Sequence, residues 1–409
     1  MRRIGRTLFG SVEPRLLFIC VVAAIHFAGA TMPRLLIPLH LAEMGTPPEL
    51  TGIVVSTYAL FPLFIALPGG ILIDRLGSRA TIIAGATLEV ISAYILVRHP
   101  AILPVTMATI LAGMANVLVV VASQSYVAAI GTSRSRANDF AVFGFATAAG
   151  QLVGPLLGGI ISDSLGRSVA FAGVGVAGII AAAIGSRLPP TDPRSPVGAT
   201  PGEPSEGVRE LMGVTRGLLR DPRAQMSIII SGCALGAFSI NTSFYPVFLQ
   251  SIGYSDGSIG LLGSLRQMSA LVVRPLLGYL VGSFGQRRTV QGVLLIGALA
   301  IGGTPFVVAL GPLALLALLG GTTTALTQPI SMIMMAEGAD DEHRGLAMGL
   351  RLTGNRLVQF LGPILLGMVV AYVGIASSFI GAAAVLIFGA LLLHYRYSHV
   401  EEVTHDARG

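Results

Sequence analysis

The chain has no lysine and no tryptophan, so its 26 basic residues are all arginine. Charge of either sign is scarce, at 11% of 409 residues. A soluble domain carries about 25%. Hydrophobic residues make up 53% and the mean hydropathy is +0.79. These deficits exclude an ordinary soluble domain and point to a polytopic helical membrane protein. Only two cysteines are present, Cys20 and Cys233, both inside apolar runs. That excludes a disulfide framework and suits small apolar filler. No phosphate-binding loop, metal-ligand cluster or nucleophile constellation occurs, so neither an enzyme, nor a cofactor, nor ATP drive is expected. No cleavable signal peptide is expected: Arg2, Arg3 and Arg6 precede an apolar run too long for a signal core.

What the chain has is long apolar runs. A bilayer core needs about 20 apolar residues per helix. On that measure twelve helices are expected, over 16–40, 50–73, 81–98, 102–128, 139–162, 167–187, 225–250, 258–281, 288–310, 312–335, 346–370 and 375–397. Residues 188–224 are too polar and proline-rich to insert, and read as a linker. The expected organisation is an N-terminal six-helix bundle (1–187), a linker (188–224) and a C-terminal six-helix bundle with a short tail (225–409).

An even helix count puts both termini and the linker on one side. That side gathers Arg15, Arg75, Arg79, Arg134, Arg136, Arg187, Arg287, Arg288 and Arg344, among others. The opposite loops hold only Arg98 and Arg167, with Glu43, Glu49, Asp163 and Asp256. The bias predicts cytoplasmic termini in a plasma membrane of bacterial type. The formal charge of +6 sits at helix ends rather than in a patch, so it reports orientation and not nucleic-acid binding.

Gly70 to Arg79 reads GILIDRLGSR and falls between two apolar runs. It returns 208 positions on as Gly278 to Arg287, GYLVGSFGQR, with Gly70 on Gly278, Gly77 on Gly285 and Arg79 on Arg287. Asp74 falls on Gly282, so the acid is lost. The same offset of 208 places Pro38 on Pro246, Gly45 on Gly253, Gly52 on Gly260, Arg136 on Arg344 and Pro155 on Pro363. Six helices per unit makes this a parallel repeat about the membrane normal.

Over nearly its whole length the sequence resembles a major facilitator superfamily transporter. Gly70, Asp74, Arg75, Gly77 and Arg79 match the family signature between the second and third helices. Gly150, Gly154, Pro155, Gly158 and Gly159 match the fifth-helix pattern of its drug:proton antiporter branches. The resemblance implies an all-α fold of two pseudo-symmetric six-helix bundles, alternating access by rocking about a midplane site, export, and a monomer in the bilayer. It also implies a latch on the arginine-rich side. There Asp74 would accept from the start of the eleventh helix, and Arg75 and Arg79 would pair with acids such as Asp139. Gly278, Gly285 and Arg287 would form a weaker second latch. Small residues four apart let the fifth helix pack closely, and Pro155 should kink it.

Charges inside membrane helices are costly and tend to face the bundle interior. Five arginines qualify: Arg34, Arg266, Arg274, Arg351 and Arg356. Helical rise places Arg34 and Arg266 roughly 10 Å in from the far side, and Arg356 about 15 Å from the arginine-rich side. Arg274 suits a snorkelling or gate role, and Arg351 pairing with loop acids. Arg34, Arg266 and Arg356 remain as the cavity set, each open to anion contact or to internal pairing. A cavity richer in arginine than in acid would favour anionic substrates. Asn116, Gln124, Asn241, Tyr245 and Gln328 are polar candidates beside them. Two features depart from the antiporter pattern: Thr109 stands where an arginine is common, and the first helix carries His26 and Arg34 instead of an acid. His26 and Glu89 are the proton-coupling candidates, with packing as the alternative for His26. The reading is proton-coupled export of a small amphipathic or anionic organic molecule. Uptake of an organic anion is the alternative, and a non-transporting membrane sensor or assembly factor the remote one.

Overall fold

A computed structural model describes residues 13–65, 77–99, 101–132, 135–189, 215–218, 220–338 and 344–406. The elements, in chain order, are α1 (Pro14–Glu43), α2 (Pro48–Ser56), α3 (Leu60–Ile65), α4 (Ser78–Arg98), α5 (Ile102–Ile130), α6 (Arg136–Leu165) and α7 (Arg167–Gly185). They continue as α8 (Pro222–Ser243), α9 (Tyr245–Ser251), α10 (Asp256–Val273), α11 (Leu277–Gly303), α12 (Leu310–Glu337), α13 (Arg344–Val373) and α14 (Ile375–Asp406). No strand occurs among the described residues.

Among the described residues, ten stretches are long and apolar enough to cross a membrane. One of them, Asp256–Phe306, is 51 residues long. Unbroken, it would extend about 76 Å, more than twice a bilayer core of about 30 Å. It breaks at Gly285, where φ is 76° and ψ 158°, into two passes. The second predicted pass, 50–73, is represented among the described residues by the shorter apolar helix Pro48–Phe64, and its end lies outside them. Helix starts follow local chemistry. Pro14, Pro48 and Pro222 open α1, α2 and α8 with a ring preset for the first turn. Asp221 and Ser255 cap α8 and α10 by accepting backbone N–H groups.

The repeat is visible in the backbone. Gly77 ends the turn before α4 with φ 76° and ψ 150°, the conformation of Gly285. A side chain would be strained in either place. The other glycines of positive φ among the described residues pair at the same spacing, Gly45 with Gly253 and Gly166 with Gly374.

Packing follows the repeat as well. In the first half α1 lies on α6 and α7, and α4 on α5 and α7. In the second half α11 lies on α12 and α14, and α8 on α12, α13 and α14. The most extensive contacts between the halves are α6 with α10 and α2 with α13, which the repeat interchanges; smaller ones join α1 to α8, α9 and α10, and α3 to α13. Large apolar side chains such as Tyr372, Phe388 and Leu299 remain exposed, as lipid-facing positions do.

α6 runs through Pro155 to Leu165. Neighbouring side chains and helices can satisfy a carbonyl that a membrane proline leaves open. The seventh predicted helix is divided at Phe244 into α8 and α9. Gly70, Asp74 and Arg75 lie outside the described residues, as does most of the linker. Both cysteines are free thiols.

Candidate functional site

A cavity of about 170 Å³ opens between the halves. Its polar lining comes from Arg34 of α1, Tyr58, Thr109 of α5, Ser239 and Thr242 of α8, and Arg356 and Gln359 of α13. A smaller neighbouring cavity of about 70 Å³ is lined by Arg34, Asn241, Arg266 and Gln267. Arg34 therefore faces both. Neither lining contains an aspartate or a glutamate.

Each half presents an arginine stacked on a tyrosine. The Arg34 guanidinium carbon lies 4.4 Å from the Tyr58 ring centroid, and its Nη2 donates to Tyr58 Oη at 2.6 Å. The Arg266 carbon lies 4.5 Å from the Tyr245 centroid. A ring face is a weak counter-charge, about 0.5–2 kcal/mol, so the positive charge is braced but not neutralised. Arg356 Nη1 donates to Gln359 Oε1 at 2.9 Å, again a neutral partner. Nε of Arg34, Nε of Arg266 and Oδ1 of Asn241 are buried without a hydrogen-bond partner. Buried polar atoms are rarely left in that condition, and here they cluster around the two cavities.

The other predicted residues take different places. Tyr245 is buried beneath Arg266. Asn116 lines neither cavity, although its Oδ1 is buried and unpartnered. Gln124 is exposed on α5. Gln328 belongs to a polar network instead: Arg351 donates Nη2 to its backbone oxygen and to its Oε1, both at 2.9 Å, and Nε to Ser331 Oγ at 3.0 Å. Arg351 therefore has neutral partners on α12 among the described residues; the loop acids Asp340, Asp341 and Glu342 expected beside it lie outside them. Ser231 and Asn355 complete the network, joined Oγ to Oδ1 at 2.5 Å. Arg274 is exposed.

His26 and Glu89 are found together. His26 Nδ1 and Glu89 Oε2 are 2.7 Å apart, and both side chains are almost wholly buried between α1 and α4. His26 Nε2 and Glu89 Oε1 have no partner. Neither residue lines the cavities.

On the arginine-rich side, no ion pair joins Arg79 to Asp139 among the described residues. Asp139 accepts from Ser135 Oγ at 2.8 Å, one turn back on its own helix. Arg287 donates to the carbonyl oxygen of His394 at 3.0 Å, within its own half.

The far side is tied shut. Arg167 Nη1 contacts Glu43 Oε2 at 2.5 Å, and its Nη2 contacts Asp256 Oδ2 at 2.8 Å across the halves. Ser162 Oγ donates to the same carboxylate at 2.5 Å. Gly257 N–H donates to Asp163 Oδ2 at 2.8 Å, and Gln250 Nε2 to Glu43 Oε1 at 3.2 Å.

Beneath these ties the backbones meet. A Cβ on Gly159 would collide with the Asp256 carbonyl, and one on Gly367 with the Pro48 carbonyl. A Cβ on Gly52 would collide with the Pro363 carbonyl, and one on Gly260 with the Pro155 carbonyl. All four contacts obey the 208-residue offset. The other three glycines of the fifth-helix motif pack inside their own half. Gly150 and Gly154 face carbonyls of α1 at Ala24 and Ala28, whereas Gly158 faces the Met32 side chain.

The sequence pointed to Arg34, Arg266 and Arg356 but missed Tyr58, Thr242 and the Arg167 tie. The one available signal for Tyr58 was the repeat, which sets it opposite Arg266.

Comparison with known proteins agrees with the geometry. The Major Facilitator Superfamily model matches residues 19–257 and again 226–408. The chain is 22% identical over 377 residues to an uncharacterised MFS-type transporter of Methanocaldococcus jannaschii, covering 90% of this chain and 95% of that protein. It is 29% identical over 160 residues to a multi-drug resistance efflux pump PmrA homolog of Lactococcus lactis, covering 38% of this chain and 39% of that protein. The solved nucleoside transporter NupG superposes with a TM-score of 0.74 at 14% identity, covering 94% of this chain and 99% of that one. With a family model matched over both halves of its repeat, the chain belongs to the Major Facilitator Superfamily of membrane transporters.

Proposed function

We propose that the protein exports a small organic anion or amphipathic molecule by alternating access, driven by protons. The observation that carries the anion preference is the lining itself: Arg34, Arg266 and Arg356 face the two cavities with no carboxylate among the lining residues. A carboxylate, sulfonate or phosphate on the substrate would supply the missing counter-charge and the missing hydrogen-bond partners. Tyr58, Phe238 and the prolines of the lining would hold an apolar body beside it.

The arginine-rich end is the cytoplasmic one in this reading, so the tied far end makes the structure closed to the outside. Export is favoured by the fifth-helix motif and by the efflux pump among its relatives. The coupling proton is assigned to the His26–Glu89 pair, the buried acid and base that share a hydrogen bond in the membrane. The two bundles would rock as units, 1–187 against 225–409, about the contacts of α6 with α10 and α2 with α13.

The test is accumulation in inside-out vesicles under an imposed pH gradient, with a panel of organic anions and lipophilic cations. Proton-driven accumulation of anions supports the reading. Accumulation of cations alone overturns the anion assignment. Anion uptake by right-side-out vesicles under an inward proton gradient overturns export in favour of proton-coupled uptake.

A further inference from the structure

The two cavities between the halves differ in what they can hold. They adjoin, since Arg34, Phe238 and Thr242 line both. A cavity of about 150 Å³ admits a benzene ring. The larger one here, at about 170 Å³, therefore has room for a ring-sized body. The smaller, at about 70 Å³, has room for little more than an acid group. The two also carry different arginines. Arg356 lines the larger cavity alone, Arg266 the smaller alone, and Arg34 both.

A single negative charge does not serve this arrangement. An occupant that fills both cavities excludes water from both, and each end then needs its own counter-charge. An anion seated at Arg266 leaves Arg356 with the neutral Gln359 as its hydrogen-bond partner. One seated at Arg356 leaves Arg266 with the Tyr245 ring face. Either way a guanidinium is left desolvated without an opposite charge, which is costly. The repeat shows that these cations are not demanded by the fold. At the offset of 208 the counterparts of Arg34, Arg266 and Arg356 are Thr242, Tyr58 and Ala148, none of them charged.

We propose that the substrate carries two acidic groups joined by an apolar body. One group would sit in the smaller cavity between Arg34 and Arg266, where Asn241 and Gln267 add amide donors. The other would sit in the larger cavity at Arg356, with the body against Phe238. The separation of the two seats would then select substrates by the distance between their acid groups. This deepens the anion reading given above and rests on it.

The probes are the straight-chain dicarboxylates from succinate to sebacate. Each is set beside its monomethyl and dimethyl esters, which keep its length but carry one charge and none. Affinity is measured by isothermal titration on the full chain in detergent at neutral pH. At one length the dicarboxylate should bind at least about ten-fold tighter than its monomethyl ester, the worth of a second hydrogen-bonded charge. Arg266→Gln and Arg356→Gln should each cut that advantage to within about two-fold, because each removes one of the two seats. Arg34→Gln, between the seats, should weaken dicarboxylate and monomethyl ester together. Melting temperatures establish that each variant is folded. A merely structural role for Arg266 or Arg356 would lower both affinities and leave their ratio. Monomethyl esters that bind as tightly as the dicarboxylates at every length overturn the two-headed substrate and leave the single-anion reading standing. Acids that bind no tighter than the dimethyl esters overturn the anion reading as well. An advantage that persists in both end variants overturns the assignment of the seats.

Discussion

Tyr58 and Arg266 occupy equivalent positions 208 residues apart, and each is one member of an arginine–tyrosine stack. In the first half the second pass supplies the tyrosine and α1 the arginine, Arg34. In the second half α10 supplies the arginine and α9 the tyrosine, Tyr245. The repeat has kept the pair and exchanged its members. Both arginines are directed by an aromatic face, which would leave them able to take an anion. Arg266→Gln should therefore weaken an anionic substrate by about 10- to 100-fold, the worth of a hydrogen bond to a charged group at about 1.5–3 kcal/mol. A neutral analogue of similar shape should lose little. Competition binding with matched anionic and neutral ligands checks this, and equal losses would remove the anion argument.

Tyr58→Phe isolates the brace from the charge. The ring and its stacking face survive, while the 2.6 Å hydrogen bond to Arg34 is lost. Arg34 then keeps its charge but loses its fixed direction. Substrate affinity should fall about 2- to 10-fold, the range of one net hydrogen bond at about 0.5–1.5 kcal/mol. Isothermal titration of Tyr58→Phe beside Arg34→Gln should rank the arginine variant as the more damaged.

The fifth-helix motif contains glycines of unequal consequence. At Gly159 an added methyl meets the Asp256 carbonyl of the other half, and at Gly52 it meets that of Pro363. A backbone group cannot step aside as a side chain can. At Gly158 the neighbour is the flexible Met32 side chain, 3.2 Å away at its Cγ. Gly159→Ala and Gly52→Ala should each slow transport at least ten-fold by preventing closure of the far end. Gly158→Ala should stay within two-fold of the unsubstituted protein. Initial transport rates in proteoliposomes at matched protein content decide it.

Most of the architecture was legible in the sequence, because lipid imposes a length on every apolar run and the repeat fixes the turns. Gly77 and Gly285 were aligned by spacing alone, and they share one backbone conformation. Side-chain pairing was not legible. His26 and Glu89 lie 63 positions apart, and nothing local to either announces the other. The Arg167–Asp256 tie is similar, though its signal was present: Arg167 is one of two arginines at an end otherwise marked by acids. Arg351 shows the same limit, since nothing local to it announces the bond it donates to Gln328.

The tie at the far end bears on conformation. Arg167 is largely buried and joins Glu43 to Asp256. Arg167→Gln would leave two carboxylates close together without their cation. Removing one member of a buried pair costs about 3–5 kcal/mol; exposure of Glu43 reduces that here, to about 1–3 kcal/mol. The closed state should lose that much against the outward-open one. Spin labels at Thr46 and Val308, read by double electron–electron resonance, should then show a longer distance gaining population. An unchanged distribution would mean that the glycine contacts alone hold the end closed.

Glu89→Gln separates the proton from the packing. Glutamine matches glutamate in shape and can still bond His26 Nδ1, so the contact between α1 and α4 should survive with little change in melting temperature. It cannot bind or release a proton. Both side chains are almost wholly buried, so proton exchange with water requires the pair to open. If that opening is the coupling step, Glu89→Gln removes uphill accumulation driven by a pH gradient and spares downhill exchange of substrate. If the pair only fastens two helices, both activities persist together. Measuring gradient-driven accumulation and counterflow on the same proteoliposomes distinguishes these outcomes. The expected result is loss of the first with the second retained.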